Sequence, residues 1–344
     1  MAATMSRTPA IQLLTEEPIE PIAQLPDLSG WRLELVKELK KESSVFTLTF
    51  RLDGLIEELK ANGCRTTAER MQQLVLPNPM GNEARLMWDS FHTIPREVLN
   101  SVVLNTVAYD KPTSYPVSFT GVYVMGIALA EHDGKFLNAI EMDVFIENLT
   151  GYIEGSRPFC EVANPAQIPN QFPQPVKDID NIYGTYKGRV KTRCIPDASA
   201  LENAQRFLEQ FRKRKTLLEA KDPTRRERAL QSPLYVGCSR VMDERVKAYD
   251  PSAKTSVFNN ANRLYALTMS LLQYQGLQPR HSIVAAVRTW QPDQLGQAEM
   301  LVTALAGAYV FQGGFNCREA GGASDRPGAA IHTRHSYSSE KISK

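Results

Sequence analysis

Residues 233–249 read PLYVGCSRVMDERVKAY, and this stretch decides the fold. Pro233 to Cys238 is a short apolar run ending around a glycine, the pattern of a strand bounded by turn residues. Asp243 to Tyr249 follows as a short helix with Met242, Val246 and Tyr249 facing inward. A second helix is predicted from about Val257 to Tyr274, stopped by Gly276, and then a strand from Ile283 to Trp290. Residues 294–311, QLGQAEMLVTALAGAYVF, are apolar almost all round and predict a buried final helix. The order is strand, helix, helix, strand, helix.

Upstream, Ala198 to Ala220 carries Leu201, Ala204, Phe207, Leu208 and Phe211 on one helical face. Residues 158–198 are rich in proline and read as an irregular excursion. Glu141 to Tyr152 is ambiguous between helix and strand. Val117, Phe119, Val122, Tyr123, Val124 and Ile127 give a β-type run over Tyr115–Ala128. From Trp31 to Asn105 the signals are mostly helical. Trp31, Leu35, Val36 and Leu39 share a face, Thr66-x-x-Glu69 has the form of a capping box, and Pro95 suits a first helical turn. Ser44 to Phe50 alternates like a strand. Residues 1–27 and 321–344 lack periodicity and read as mobile tails. The resulting organisation is a tail (1–27), a mostly helical N-terminal region (28–114), a mixed domain (115–320) and a second tail (321–344).

The 344 residues predict two domains or one elaborated one. A hydrophobic fraction of 42% with 23% charged residues excludes a disordered chain, a collagen-like rod and a coiled coil. Lys and Arg number 40 against 38 Asp and Glu, so any nucleic-acid-binding surface must be local rather than a property of the whole molecule. The candidate surface is Arg212, Lys213, Arg214 and Lys215 with Arg225, Arg226 and Arg228, a cluster that reads equally as a solvated helix face. Five cysteines with no C-x-x-C spacing point to a reducing, intracellular compartment, nuclear or cytoplasmic. The longest apolar run, Met300 to Phe311, is too short to cross a bilayer, and no membrane association is expected. His92, His132 and His281 have no metal-ligand spacing, which argues against a histidine-based zinc site, and no phosphate-cradling G-x-x-x-x-G-K-[ST] is present.

Glu299 is out of place in the final helix, sharing a face with Leu295, Val302 and Ala306. A carboxylate there needs a cation, either a metal or an arginine. Four elements in this order, Tyr235-Val236-Gly237, Arg245, Glu299 and Gly313-Gly314-Phe315-Asn316, resemble the GIY-YIG nuclease superfamily over about residues 233–322. The first signature of that family departs from the usual spacing. The preferred match is Gly121-Val122-Tyr123, which makes residues 127–230 an insertion between two hairpin strands, and Asn181-Ile182-Tyr183 is the alternative. Asn259 and Asn260 stand where the family often has a histidine.

The resemblance implies an α+β fold, a small, mainly antiparallel sheet flanked by helices, and a metal-dependent endonuclease that hydrolyses phosphodiester bonds. It implies that Glu299 holds one Mg²⁺ or Mn²⁺, that Arg245 forks onto the phosphate, and that Tyr123 acts as general base or orients the water. Tyr235 would hydrogen-bond the water or phosphate, and Asn316 would fix the last turn or reach the site. The partner implied is nucleic acid, DNA ahead of RNA. Two other functions remain open: a degenerate GIY-YIG domain that binds nucleic acid or protein without cutting, and an RNA-coating or scaffold protein dominated by the Arg212–Arg228 cluster.

Overall fold

The computed structural model describes residues 53–75, 120–132, 135–160, 171–183, 191–229, 232–241, 245, 249, 262–288, 294–317 and 320. The expected strand at 44–50, both tails, and the segment 242–249 apart from Arg245 and Tyr249 lie outside the described residues. The described part is α+β, with one three-stranded antiparallel sheet and helices on both of its faces.

The strands are β1 (Gly121–Leu129), β2 (Tyr235–Ser239) and β3 (Pro279–Arg288), in the order β2-β1-β3. The helices are α1 (Asp53–Ala61), α2 (Arg65–Val75), α3 (Ala139–Cys160), α4 (Gln174–Asn181), α5 (Ala198–Lys221), α6 (Arg263–Tyr274) and α7 (Gln294–Leu305). Every residue of the central strand β1 is buried, because successive side chains feed two different cores. Tyr123, Met125, Ile127 and Leu129 join a core built with α3, α5 and α6. Val122 and Val124 face the other way, into a core with Val236, Ala286, α7 and the N-terminal helices through Leu55, Ile56 and Leu59. Helices α1 and α2 therefore share a core with the sheet.

Most elements follow the sequence, with corrections at their ends. The β-type run becomes β1, and the strand expected at Pro233–Cys238 begins at Tyr235. The insertion thus runs between Leu129 and Tyr235. Thr66 lies inside α2, whose first residue is Arg65, so the capping box expected at Thr66 does not open that helix. Helix α6 starts later than Val257, at Arg263, where the Asn262 side chain accepts hydrogen bonds from the amides of Leu264 and Tyr265 at 3.0 and 3.2 Å. The final helix stops at Leu305, and Gly307 follows with φ of 58°.

The ambiguous segment is the 22-residue helix α3. Its start is a reciprocal cap: the Asn138 amide donates to Glu141 Oε2 and the Glu141 amide to Asn138 Oδ1, both at 2.9 Å. Met142, Phe145, Leu149, Tyr152, Ile153 and Ser156 form its buried stripe. The excursion at 158–198 contains α4, opened by proline in its first turn. A buried polar network closes it onto the domain. Tyr152 donates to Asp180 at 2.5 Å, the Arg193 amide donates to Asp180 at 2.9 Å, and the Arg193 guanidinium donates to Ser270 on α6 at 2.5 Å.

The cap of α3 is testable by itself. Asn138→Ala removes one partner of the reciprocal pair and is expected to lower unfolding free energy by about 1 kcal/mol in urea titrations. Asn138→Ser, which retains a capping oxygen, is expected to recover most of the loss.

Candidate active site

The β1–β2 pairing sets the site. Tyr123 stands opposite Gly237, and Met125 opposite Tyr235, so two tyrosines from segments far apart in sequence lie on adjacent strands. Against β3 the register shifts between Val122 and Tyr123, where Val122 faces Val287, Tyr123 faces Ala285, and Ala286 is the extra residue on β3. The phenol of Tyr123 crosses Gly237, where a Cβ would sit 2.4 Å from its hydroxyl oxygen. Glycine at 237 is therefore what lets the tyrosine lie across the neighbouring strand. Tyr183, the alternative to Tyr123, follows the end of α4 and stands on no strand.

Tyr249 completes a triangle with Tyr123 and Tyr235, with ring centroids 6.2, 6.0 and 6.1 Å apart. The Tyr123 and Tyr249 hydroxyls are 3.0 Å apart. Arg245 donates from Nε to the Tyr123 hydroxyl at 3.3 Å and lies 5.3 Å from the centre of the Tyr249 ring. Arg245 is on a helical turn, its amide bonded to the Val241 carbonyl at 3.2 Å. Burial is the main cause that raises all three phenols well above their ordinary pKa, and their mutual electrostatics add to it. These groups are neutral at pH 7, so the general-base role expected of Tyr123 meets an energetic obstacle. Its hydroxyl is placed to orient Arg245.

A cavity of about 540 Å³ opens beside this cluster, lined by Tyr235, Arg245, Glu299 and Asn316. Tyr123 is not part of its wall; it is fully buried behind it. Glu299 is half-buried on α7 and borders Cys238. Burial, then the Glu299 charge and a hydrogen bond to its carboxylate, hold the Cys238 thiol protonated and far above its ordinary pKa.

Asn316 reaches the cavity wall, but its amide is already engaged. Nδ2 donates to the Val236 carbonyl at 2.8 Å and Oδ1 accepts from the Val236 amide at 2.9 Å, so the side chain acts as an extra strand edge on β2. The turn before it needs its glycines: Gly313 has φ of 89°, and a Cβ on Gly314 would meet the Ala308 carbonyl oxygen at 2.2 Å. Asn316 is thus a positioning residue that anchors the C-terminal turn to β2.

The other half of the cavity was not anticipated from sequence. Cys194, Asp197, Ser199, Ala200 and Asn203 come from the insertion, and Asn262 and Arg263 from the start of α6. The N-termini of α5 and α6 both border it, which adds positive potential to that of Arg245 and Arg263. The only signals available were the Asp197 and Asn262 caps.

The basic cluster lies elsewhere. At about 1.5 Å per residue, Arg212 is about 13 Å and Lys215 about 18 Å beyond Asn203 along α5. Lys215 pairs with Asp143 at 2.8 Å and Glu219 at 3.3 Å, and Arg225 pairs with Asp143 and with Glu219. These two cations are tied to α3 and α5 carboxylates. Arg212, Lys213 and Arg226 are exposed. Among the described residues no helix is long and apolar enough to cross a membrane. No family model, curated protein or solved structure matches the chain.

The raised phenols have a measurable consequence. A tyrosine whose folded pKa exceeds its unfolded value of about 10 contributes stability that is complete below pH 10 and is lost as pH rises toward the folded value. Unfolding free energy is therefore expected to fall steeply above about pH 10. Absorbance titration should show buried phenols that ionise only with unfolding, and Tyr249→Phe should make the alkaline decline shallower.

Proposed function

We propose that this cavity is the active site of a metal-dependent phosphodiesterase acting on nucleic acid, an endonuclease of GIY-YIG type. The observation that carries the reading is that Tyr235, Arg245, Glu299 and Asn316, from four separate elements, border one cavity, with Tyr123 on the strand paired to that of Tyr235. A phosphodiester needs a cationic, planar donor for its non-bridging oxygens, and a guanidinium oriented by a phenol provides one.

The donor set fits a hard cation. Among the described residues no group of three or more His, Cys, Asp or Glu is gathered. A single carboxylate, Glu299, suits Mg²⁺ or Mn²⁺, which keep several waters and take oxygens from the substrate. When bound, such a cation neutralises charge on the phosphate and acidifies a water. Arg245 binds the phosphate and offsets the charge that grows on it, Tyr235, its hydroxyl hydrogen-bonded to Tyr249, borders the same space, and Tyr123 with Tyr249 fixes the guanidinium. A non-cutting binding module is the second reading, favoured by the protonated state of Tyr123 and the backbone-engaged amide of Asn316.

Cleavage separates the two. The full-length protein is expected to nick plasmid, branched DNA or RNA only when Mg²⁺ or Mn²⁺ is present. Arg245→Lys is expected to slow cleavage on the order of 10²-fold. Glu299→Gln should abolish it while leaving the melting temperature nearly unchanged. If wild-type protein cuts nothing with any cation and Glu299→Gln unfolds by about 3 to 5 kcal/mol more readily, Glu299 is a core ion-pair partner and the nuclease reading fails.

A further inference from the structure

We propose that the insertion-borne wall of the cavity, with Arg263, forms a subsite for the nucleotide next to the cut, and that the substrate is a single-stranded segment of nucleic acid. This rests on the phosphodiesterase reading of the same cavity. Asn203 lies one turn beyond Ser199 on α5, and with Ala200 both border the space that Arg245 and Glu299 border from the sheet side. An asparagine amide offers a donor and an acceptor side by side, the pattern that reads the edge of a base. Ala200, a small side chain, lines the same wall.

Arg263 supplies the matching phosphate contact. It is 51% exposed and faces Asp197 across 3.4 Å, so the pair joins α6 to the insertion at the cavity. An ion pair this exposed contributes little stability, and a phosphate can replace the carboxylate readily. Two guanidiniums, Arg245 and Arg263, then address two phosphates of one strand, with the base between them directed to Asn203. A cavity of about 540 Å³ is the size of a small-molecule site. It accommodates a base splayed out of a strand, whereas a paired duplex keeps its bases stacked and cannot place one in a pocket without flipping it out.

The test uses the full-length protein in excess chelator, which stops cation-dependent cutting, with a labelled single-stranded oligonucleotide and the duplex of the same sequence. The single strand is expected to bind more tightly, on the order of tenfold. Arg263→Gln should weaken that binding and reduce its salt slope by about 0.7, the loss of one phosphate contact on a single strand. Asn203→Ala and Asn203→Ser should both narrow the differences among oligonucleotides that vary next to the cut, without shifting the melting temperature. Preferential duplex binding, or variants at both positions indistinguishable from the parent in affinity and sequence preference, overturns the subsite. If the variants change binding as stated while wild-type protein cuts no substrate, the subsite stands and only the hydrolytic reading falls.

Discussion

The pairing of β1 with β2 is the constraint on which the rest of the structure depends. It brings Tyr123 opposite Gly237, and only a residue without a side chain leaves space for the phenol to cross the strand. That crossing puts the Tyr123 hydroxyl within hydrogen-bonding reach of Arg245 and Tyr249. The guanidinium is thereby held by the Tyr123 hydroxyl and the Tyr249 ring, and it borders the cavity. Loss of the strand register by one residue would turn Tyr123 into the opposite core, among the apolar residues of α1 and α7.

The sheet was legible because its strands are short apolar runs between turn residues, and α5 because its polar and apolar faces are distinct. Helix α3 was not, although its cap and buried stripe were both present in the sequence. Ile140 and Val144 are 47% and 46% exposed, and these two apolar side chains on the outer face blur the period that would have marked the inner one. Helix α4 was hidden by the prolines around it. Proline at a first turn starts a helix as readily as proline in the interior breaks one, and composition alone does not distinguish the two.

The sheet-side wall and the insertion wall of the cavity differed in legibility for a related reason. Tyr235, Arg245 and Asn316 were singled out by the resemblance of their order to the GIY-YIG pattern, and Glu299 also as one carboxylate in an apolar helix. Tyr249 was read only as an inward helix position, since its contact with Tyr123 joins residues 126 apart and no local period records it. Asn203 and Arg263 look like ordinary surface positions of amphipathic helices. Their meaning depends on where the helix N-termini point, which is a tertiary fact.

A long insertion between paired strands is compatible with a precise site, because the closure entropy of a loop grows only with the logarithm of its length. What matters is whether the inserted chain is itself rigid. Phe207 of α5 packs against Phe315 at 5.4 Å, and Phe315 against Tyr265 at 5.3 Å, so an aromatic series joins the insertion to α6 and to the residue preceding Asn316. The Phe315 amide in turn donates to the Leu234 carbonyl at 2.8 Å, just ahead of β2. The same turn thus fixes both walls: Asn316 holds it to the strand of Tyr235, and Phe315 holds it to the helix that carries Asn203. Movement of α5 relative to the sheet would have to break this packing, and the insertion wall is accordingly preorganised with respect to β2.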